Sequence, residues 1–174
     1  MTAYVALLRA VNVGGTGKLP MAELARMCEA AGFAAVRTYI ASGNVVFQSG
    51  ATETHVKAVL EDSLRAYAGK PVGVLVRTGP EIAEVLARNP FPEGPSNRVV
   101  AIFLDRPPPP DTLKSLSGQR DELVRLGRRE IYVAYGEGMG TSKLKIPAAK
   151  TGTARNMNTL AKLAELAAKI QADA

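Results

Sequence analysis

Two segments of this chain leave no face for water. In Tyr4–Arg9, Tyr4, Ala6 and Leu8 alternate with Val5 and Leu7, so both faces are apolar up to the arginine. Arg98–Leu104 has the same character. A strand of that kind belongs in the middle of a sheet with both faces covered. Two such strands lie about 90 residues apart in a chain of 174 residues, a length that allows one large domain or two small ones.

The segments around them supply the other layers. Pro20 opens a helix whose buried stripe is Met21, Leu24, Ala25, Cys28 and Ala31, with Gly32 as its stop. Cys28 lies on that stripe and reads as a packed core thiol. Ala35–Ile40 is a half-buried strand, Ser42-Gly43-Asn44 a turn, and Val45–Gln48 a further strand. Thr52 or Thr54 caps a second helix with stripe Val56, Val59, Leu60, Leu64 and Tyr67, ended by Gly69. His55 falls in its first turn and reads as a surface residue. Pro71–Arg77 is a strand, and Gly79-Pro80 opens a short helix that stops before Asn89-Pro90. The order βαββαβ is the ferredoxin-like pattern, in which strands one and three are central. We expect an α+β fold with such a domain over residues 1–92, ended by the linker Pro90–Pro95.

The rest, residues 98–174, reads as a smaller α+β domain of order βαββα. After the central strand come a stiff proline run (Pro107–Pro110) and a short helix at Asp111–Leu116 capped by Asp111. A hairpin follows, Glu122–Leu126 and Arg129–Tyr135. A helical piece at Ser142–Ala149 is broken by Pro147, and a last helix spans Ala154–Ala172 with Thr153 as cap. This is the first domain's order without its final strand.

Charge and composition narrow the function. Residues 1–97 hold 9 Lys/Arg and 8 Asp/Glu, whereas 98–174 hold 13 and 8. Within the latter, 125–169 hold 9 basic and 3 acidic residues, +6, which equals the net charge of the whole chain. That run is either a solvated face or an anion-binding patch. One Cys and one His exclude a disulfide framework and two-histidine metal motifs. We therefore expect no metal and no cofactor. No apolar run reaches the ~18 residues of a membrane span. The start, MTAYVALLRAVN, has no basic head or cleavage site, so a cytoplasmic location is expected.

Familiar motifs fail on their details. The turn ending in Gly17-Lys18 has Asn12 where a phosphate loop needs its first Gly, and Leu19 where it needs Ser or Thr. Its glycines also have the wrong spacing for a dinucleotide fingerprint. RNA stacking on central strands would rest on Tyr4 and Phe47 alone. Carboxylate pairs such as Glu61-Asp62 are adjacent, so they point apart.

Two polar clusters remain. Arg9 and Asn12 end strand one, while Ser42 and Asn44 begin strand three, which runs antiparallel to it. These four should therefore gather at one sheet edge beside Gly14 and Gly15. They could bind a ligand or anchor the neighbouring loops. The second cluster is Lys150, Thr153, Arg155 and Asn156. If the last helix starts there, an anion could sit on its free N–H groups, clamped by Arg155 and Lys150. The other reading is a well-capped helix.

Three stretches carry a resemblance: LLRAVNVGG (7–15), YIASGNVVF (39–47) and TARNMNT (153–159), with Pro20-Met21, Leu24 and Ser142-Lys143-Leu144 between them. In this order the chain resembles the bacterial domain-of-unknown-function family numbered 1697. The resemblance implies two α/β units, the first ferredoxin-like, and no assigned activity. Two positions depart from the family pattern: Ala10 stands where Gly is usual, and Met157 where Trp is usual. The expected function is a small soluble binding protein for an anionic ligand at a polar site near the domain interface. Two alternatives are an enzyme acting on a phosphorylated or carboxylated small molecule, and a nucleic-acid-associated protein using 125–169.

Overall fold

The computed structural model describes residues 1–11 and 18–173. It is a mixed α+β structure with two four-stranded antiparallel sheets and four α-helices. The chain divides into two compact units, Met1–Ile82 with Lys162–Ala174, and Ala83–Ala161. The division falls eight residues or so before the expected linker, inside a helix, because Pro90–Pro95 packs as part of the second unit. Phe91 there is buried, and the Arg125 guanidinium lies 5.9 Å from its ring centre.

In the first unit β1 (Thr2–Leu8) and β3 (Asn44–Ser49) are the inner strands, flanked by β2 (Ala34–Thr38) and β4 (Val74–Thr78) in the order β2-β3-β1-β4. The inner pair is the one expected from residues apolar on both faces. Tyr4, Ala6, Leu8, Val45, Phe47, Val74 and Val76 point to one face, and α1 (Met21–Ala30) and α2 (Glu53–Ala68) cover it with Leu24, Cys28, Val56, Leu60 and Leu64. Burial pushes the Cys28 thiol up to about 12, helped by the charge of Glu29, so it packs as a neutral apolar group. Thr52 caps α2 through its hydroxyl, which accepts from the His55 N–H, and Gly69 ends it at φ 73. The opposite face carries Val5, Leu7, Val46, Leu75 and Arg77, all buried. The C-terminal turns of α4 (Met157–Ala172) reach this unit: Gln48 Nε2 donates to the Ile170 carbonyl at 2.7 Å, and the Ala3 N–H donates to Gln171 Oε1 at 2.9 Å.

The second unit follows α3 (Gly79–Ala87) and contains β5 (Val99–Phe103), β6 (Leu123–Leu126), β7 (Glu130–Ala134) and β8 (Thr153–Asn156) in the order β6-β7-β5-β8. Three expectations are corrected here. The residues Thr153–Asn156 are a strand, not the start of the last helix, so the sheet has its fourth member. The inner strand β5 needs a partner on each side, and its second edge pairs Val100 with Asn156 and Phe103 with Thr153. Consequently α4 starts at Met157, and its cap is Asn156, whose Oδ1 accepts from the Thr159 N–H at 2.9 Å. The expected helices at Asp111–Leu116 and Ser142–Ala149 are only 3-10 turns, at Thr112–Lys114, Met139–Thr141 and Pro147–Thr151, and Asp111 makes no side-chain cap. Pro147 would stand inside the expected Ser142–Ala149 helix, where its missing N–H and its ring break the turn, so it opens the last 3-10 turn instead.

The two sheets match along a central row. Across the first, Arg37, Val46, Val5 and Arg77 form one row; across the second, Arg125, Tyr132, Ala101 and Arg155 do. Each arginine donates Nη1 to the carbonyl just before it, at 2.9 Å for Arg37, 3.0 Å for Arg77, 2.9 Å for Arg125 and 2.9 Å for Arg155. The Leu8 N–H donates to the Gly43 carbonyl at 2.9 Å, and the Leu104 N–H to the Arg129 carbonyl at 2.9 Å. Each fourth strand ends in a helix cap, Thr78 for α3 and Asn156 for α4.

Candidate functional site

The first cluster gathers as the antiparallel register requires, since Leu7 pairs with Asn44 at the end of β1. Its chemistry is that of an anchor. Asn44 is fully buried (0% exposed), and its Nδ2 donates to the Tyr39 carbonyl and to Ser42 Oγ, both at 2.9 Å. Together with the Tyr39 N–H, which donates to the Asn44 carbonyl at 3.0 Å, these bonds close the turn between β2 and β3. That turn passes so near β1 that a Cβ on Gly43 would lie 2.6 Å from Val11 and 2.9 Å from Leu8, and its φ is 89. Only glycine fits there. Arg9 runs its stem over Gly73, where a Cβ would meet it at 2.9 Å. Asn12, Gly14 and Gly15 lie outside the described residues.

The second cluster is spread over a 3-10 turn, a strand and a helix cap. Arg155 is in β8, not on a helix end, and is buried (7% exposed). Its Nη1 donates to Thr153 Oγ1 at 2.7 Å as well as to the Ala154 carbonyl, and burial pulls its pKa down to about 10. Thr153 is thus an acceptor for Arg155 rather than a cap, and Asn156 is occupied by the first turn of α4. Lys150 is exposed at the end of the last 3-10 turn. Met157, in the place usually held by Trp, is buried, and its N–H donates to the Ser96 carbonyl at 3.2 Å.

Ser142 of the Ser-Lys-Leu stretch is likewise structural. Its hydroxyl donates to Glu122 Oε2 and holds that carboxyl below its ordinary range; the Arg120 N–H, donating to Glu122 Oε1 at 2.6 Å, acts in the same direction. Gly118 is bound here by space, because a Cβ would lie 2.0 Å from the Lys143 carbonyl oxygen. Among the described residues no group of three His, Cys, Asp or Glu side chains converges as metal ligands do.

An open cavity lies elsewhere in the first unit, at the carboxyl end of β1. Its volume is about 430 Å³, within the usual range of small-molecule sites. Ala10, Val11, Leu19, Leu64, Ala68 and Val72 give it aliphatic walls, Tyr67 an aromatic one, and Lys18 and Lys70 two ammonium groups. The local folding follows from the chain. Gly69 reverses the backbone at the end of α2, which sets Lys70 and Val72 beside Leu64 and Tyr67. Leu19 and Lys18 enter from the start of α1. Tyr67, expected in the buried stripe of α2, is 47% exposed. Neither lysine has an ion-pair or hydrogen-bond partner among the described residues. The negative end of the α2 dipole, roughly half a charge, opposes an anion there, but two ammonium charges outweigh it. Sequence reasoning missed Lys18, Tyr67 and Lys70. The available signal was one lysine directly after the glycine turn and one directly after the helix stop.

Ala10, on the cavity wall, has φ 51, and Ile40, in the turn that packs on Val11, has φ 49. That region suits glycine and strains other residues, branched ones most. The position of Ala10, where the family pattern has Gly, is therefore a left-handed one.

No curated protein matches the chain. A solved structure similar to it is that of the conserved bacterial protein SP0830 from Streptococcus pneumoniae, 25% identical, with a TM-score of 0.79 over 95% of this chain and 98% of that one. The profile of a family described as "Protein of unknown function (DUF1697)" matches residues 1–132. With residues 1–132 of its 174 matched, the chain belongs to the DUF1697 family.

Proposed function

We propose that the chain binds a small anionic ligand in the cavity at the carboxyl end of β1. The observation that carries this reading is a pair of lysines, Lys18 and Lys70, without a partner among the described residues, on a cavity otherwise lined by aliphatic residues and Tyr67. The site is moved from the two polar clusters because Asn44, Thr153, Arg155 and Asn156 are engaged in turns, strands and caps. A nucleic-acid role for 125–169 is disfavoured by the same accounting. Arg155 is buried, and the Arg128 guanidinium lies 3.3 Å from Glu84. We further read the two units as two ferredoxin-like domains; the shared orders β2-β3-β1-β4 and β6-β7-β5-β8 support it. A cytoplasmic location suits the free, buried thiol of Cys28. No helix among the described residues is long and apolar enough to cross a membrane.

Thermal unfolding with a panel of organic anions tests the site. A bound anion should raise Tm in a concentration-dependent way, by about 2.7 kcal/mol of stability at a hundred times its Kd. The double variant Lys18→Gln, Lys70→Gln should keep the fold and lose the shift. An unchanged shift in that variant removes the site from consideration.

A further inference from the structure

We infer that the ligand is an amphipathic carboxylate, with one acidic head and an aliphatic or arylalkyl body, rather than a phosphate ester or nucleotide; this rests on the anion reading above. The lining decides the class. The side chains of the described lining residues include two ammonium groups and one tyrosine hydroxyl. An ammonium is a point charge on a flexible stem and fixes no particular geometry. Phosphate sites instead use forked arginines, hydroxyls or successive backbone N–H groups aimed at several oxygens. The described walls supply neither an arginine nor a serine or threonine. Sugar and base polar groups would face Val11, Leu19, Leu64 and Val72 without partners, and a buried polar group without a hydrogen bond costs roughly 1–3 kcal/mol.

An alkyl or aryl body meets the opposite situation. Six aliphatic side chains and the face of Tyr67 offer it apolar surface, while the carboxylate reaches Lys18 and Lys70. Tyr67 is 47% exposed, so part of its ring is left for a ligand to cover. The cavity volume of about 430 Å³ accommodates a body of medium length and limits a longer one.

Calorimetric titration of the full-length chain tests this, with straight-chain carboxylates from hexanoate to dodecanoate kept below micelle concentrations. Decylamine, inorganic phosphate and AMP complete the set of probes. Affinity is expected to climb roughly fourfold per added methylene, then to level off once the cavity is full. Lys18→Gln with Lys70→Gln should weaken every carboxylate by a similar factor and leave the chain-length dependence intact. Ala68→Leu, which fills the cavity from an exposed helix position, should shift the plateau to shorter chains. Tighter binding of phosphate or AMP than of any carboxylate overturns the ligand class and leaves the anion site standing. Equal binding of decylamine and decanoate overturns the role of the lysines, and binding of no probe overturns both readings.

Discussion

The two sheets share strand order, register and even the placement of four arginines, yet they are backed by different material. In the first unit, one face of the sheet with the helices α1 and α2 over it buries fifteen apolar residues among those described. In the second, the corresponding face buries six, and its cover is 3-10 turns and loops carrying Leu116, Met139, Leu144 and Ile146. Equal sheets under unequal covers show that pairing and cover are separable. The inner strands are held by apolar residues on both faces and by the backbone ladder. The crossovers need only span the distance and bring enough apolar surface.

That comparison can be broken by matched substitutions. The largest difference should come from the covers. Leu60→Ala, on α2, removes a fully buried side chain and should cost about 3 kcal/mol, whereas Leu144→Ala, in a loop and only partly buried, should cost about 1 kcal/mol. Urea unfolding measures both, and equal losses would mean that the loop cover packs as tightly as the helical one.

The rows come next. Arg155→Ala should cost about 2 kcal/mol, because Thr153 Oγ1 and the Ala154 carbonyl lose a charged donor inside the protein. Arg155→Met should cost clearly less, since a buried charge replaced by an apolar side chain of similar reach no longer needs desolvating. Arg77, 1% exposed at the matching position, should rank its Ala and Met variants in the same order. Opposite rankings would show that the two rows are alike in register only.

The helix caps are a smaller version of the same test. Thr78 Oγ1 accepts from the Glu81 N–H at 3.2 Å while Glu81 Oε1 accepts from the Thr78 N–H at 2.8 Å, a reciprocal box; Asn156 acts alone. Each change to alanine should cost about 1 kcal/mol.

Alkaline pH probes the first unit through Cys28. Its thiol titrates near 12 in the fold and at 9.0 ordinarily, so the unfolded chain releases a proton first. Stability is therefore retained below pH 9 and declines as pH rises from there toward 12, by up to about 1.4 kcal/mol per pH unit from this group. Thiol labelling during urea unfolding should follow loss of the first unit, and labelling of the native protein at the same rate would contradict the burial. Smallest of all, Ile40→Gly should stabilise by roughly 0.5 kcal/mol. It relieves about 1–2 kcal/mol of left-handed strain against about 0.4–1 kcal/mol of added chain entropy. Ile40 is 49% exposed, so little burial is lost.

Most of the first unit was legible in the sequence, because its periods are long enough to be unambiguous. Ten or more residues of helical spacing with a Gly stop cannot be mistaken for a strand, and both inner strands announced themselves. The second unit was legible only where its strands are apolar throughout. Thr153–Asn156 is four residues with no period, next to a long helical stripe, and reads as that helix's first turn until β5 is seen to need an edge partner. The polar clusters were legible as positions but not as roles. Asn44 beside Ser42 carries the same letters whether it holds a turn or a ligand, and only its bonds to Tyr39 and Ser42 decide.

By itself the sequence marked β1, β3 and β5 as inner strands and supplied the cap and stop of α2, because periodicity, apolar faces and glycine conformations are local properties. Tertiary structure alone decided that Arg155 is a strand residue and that Thr153 serves it. It alone brought Lys18, Tyr67 and Lys70 around one cavity. Those facts depend on which edge pairs with which strand and on where a helix ends over a sheet, and residues about fifty positions apart carry no record of that in their spacing.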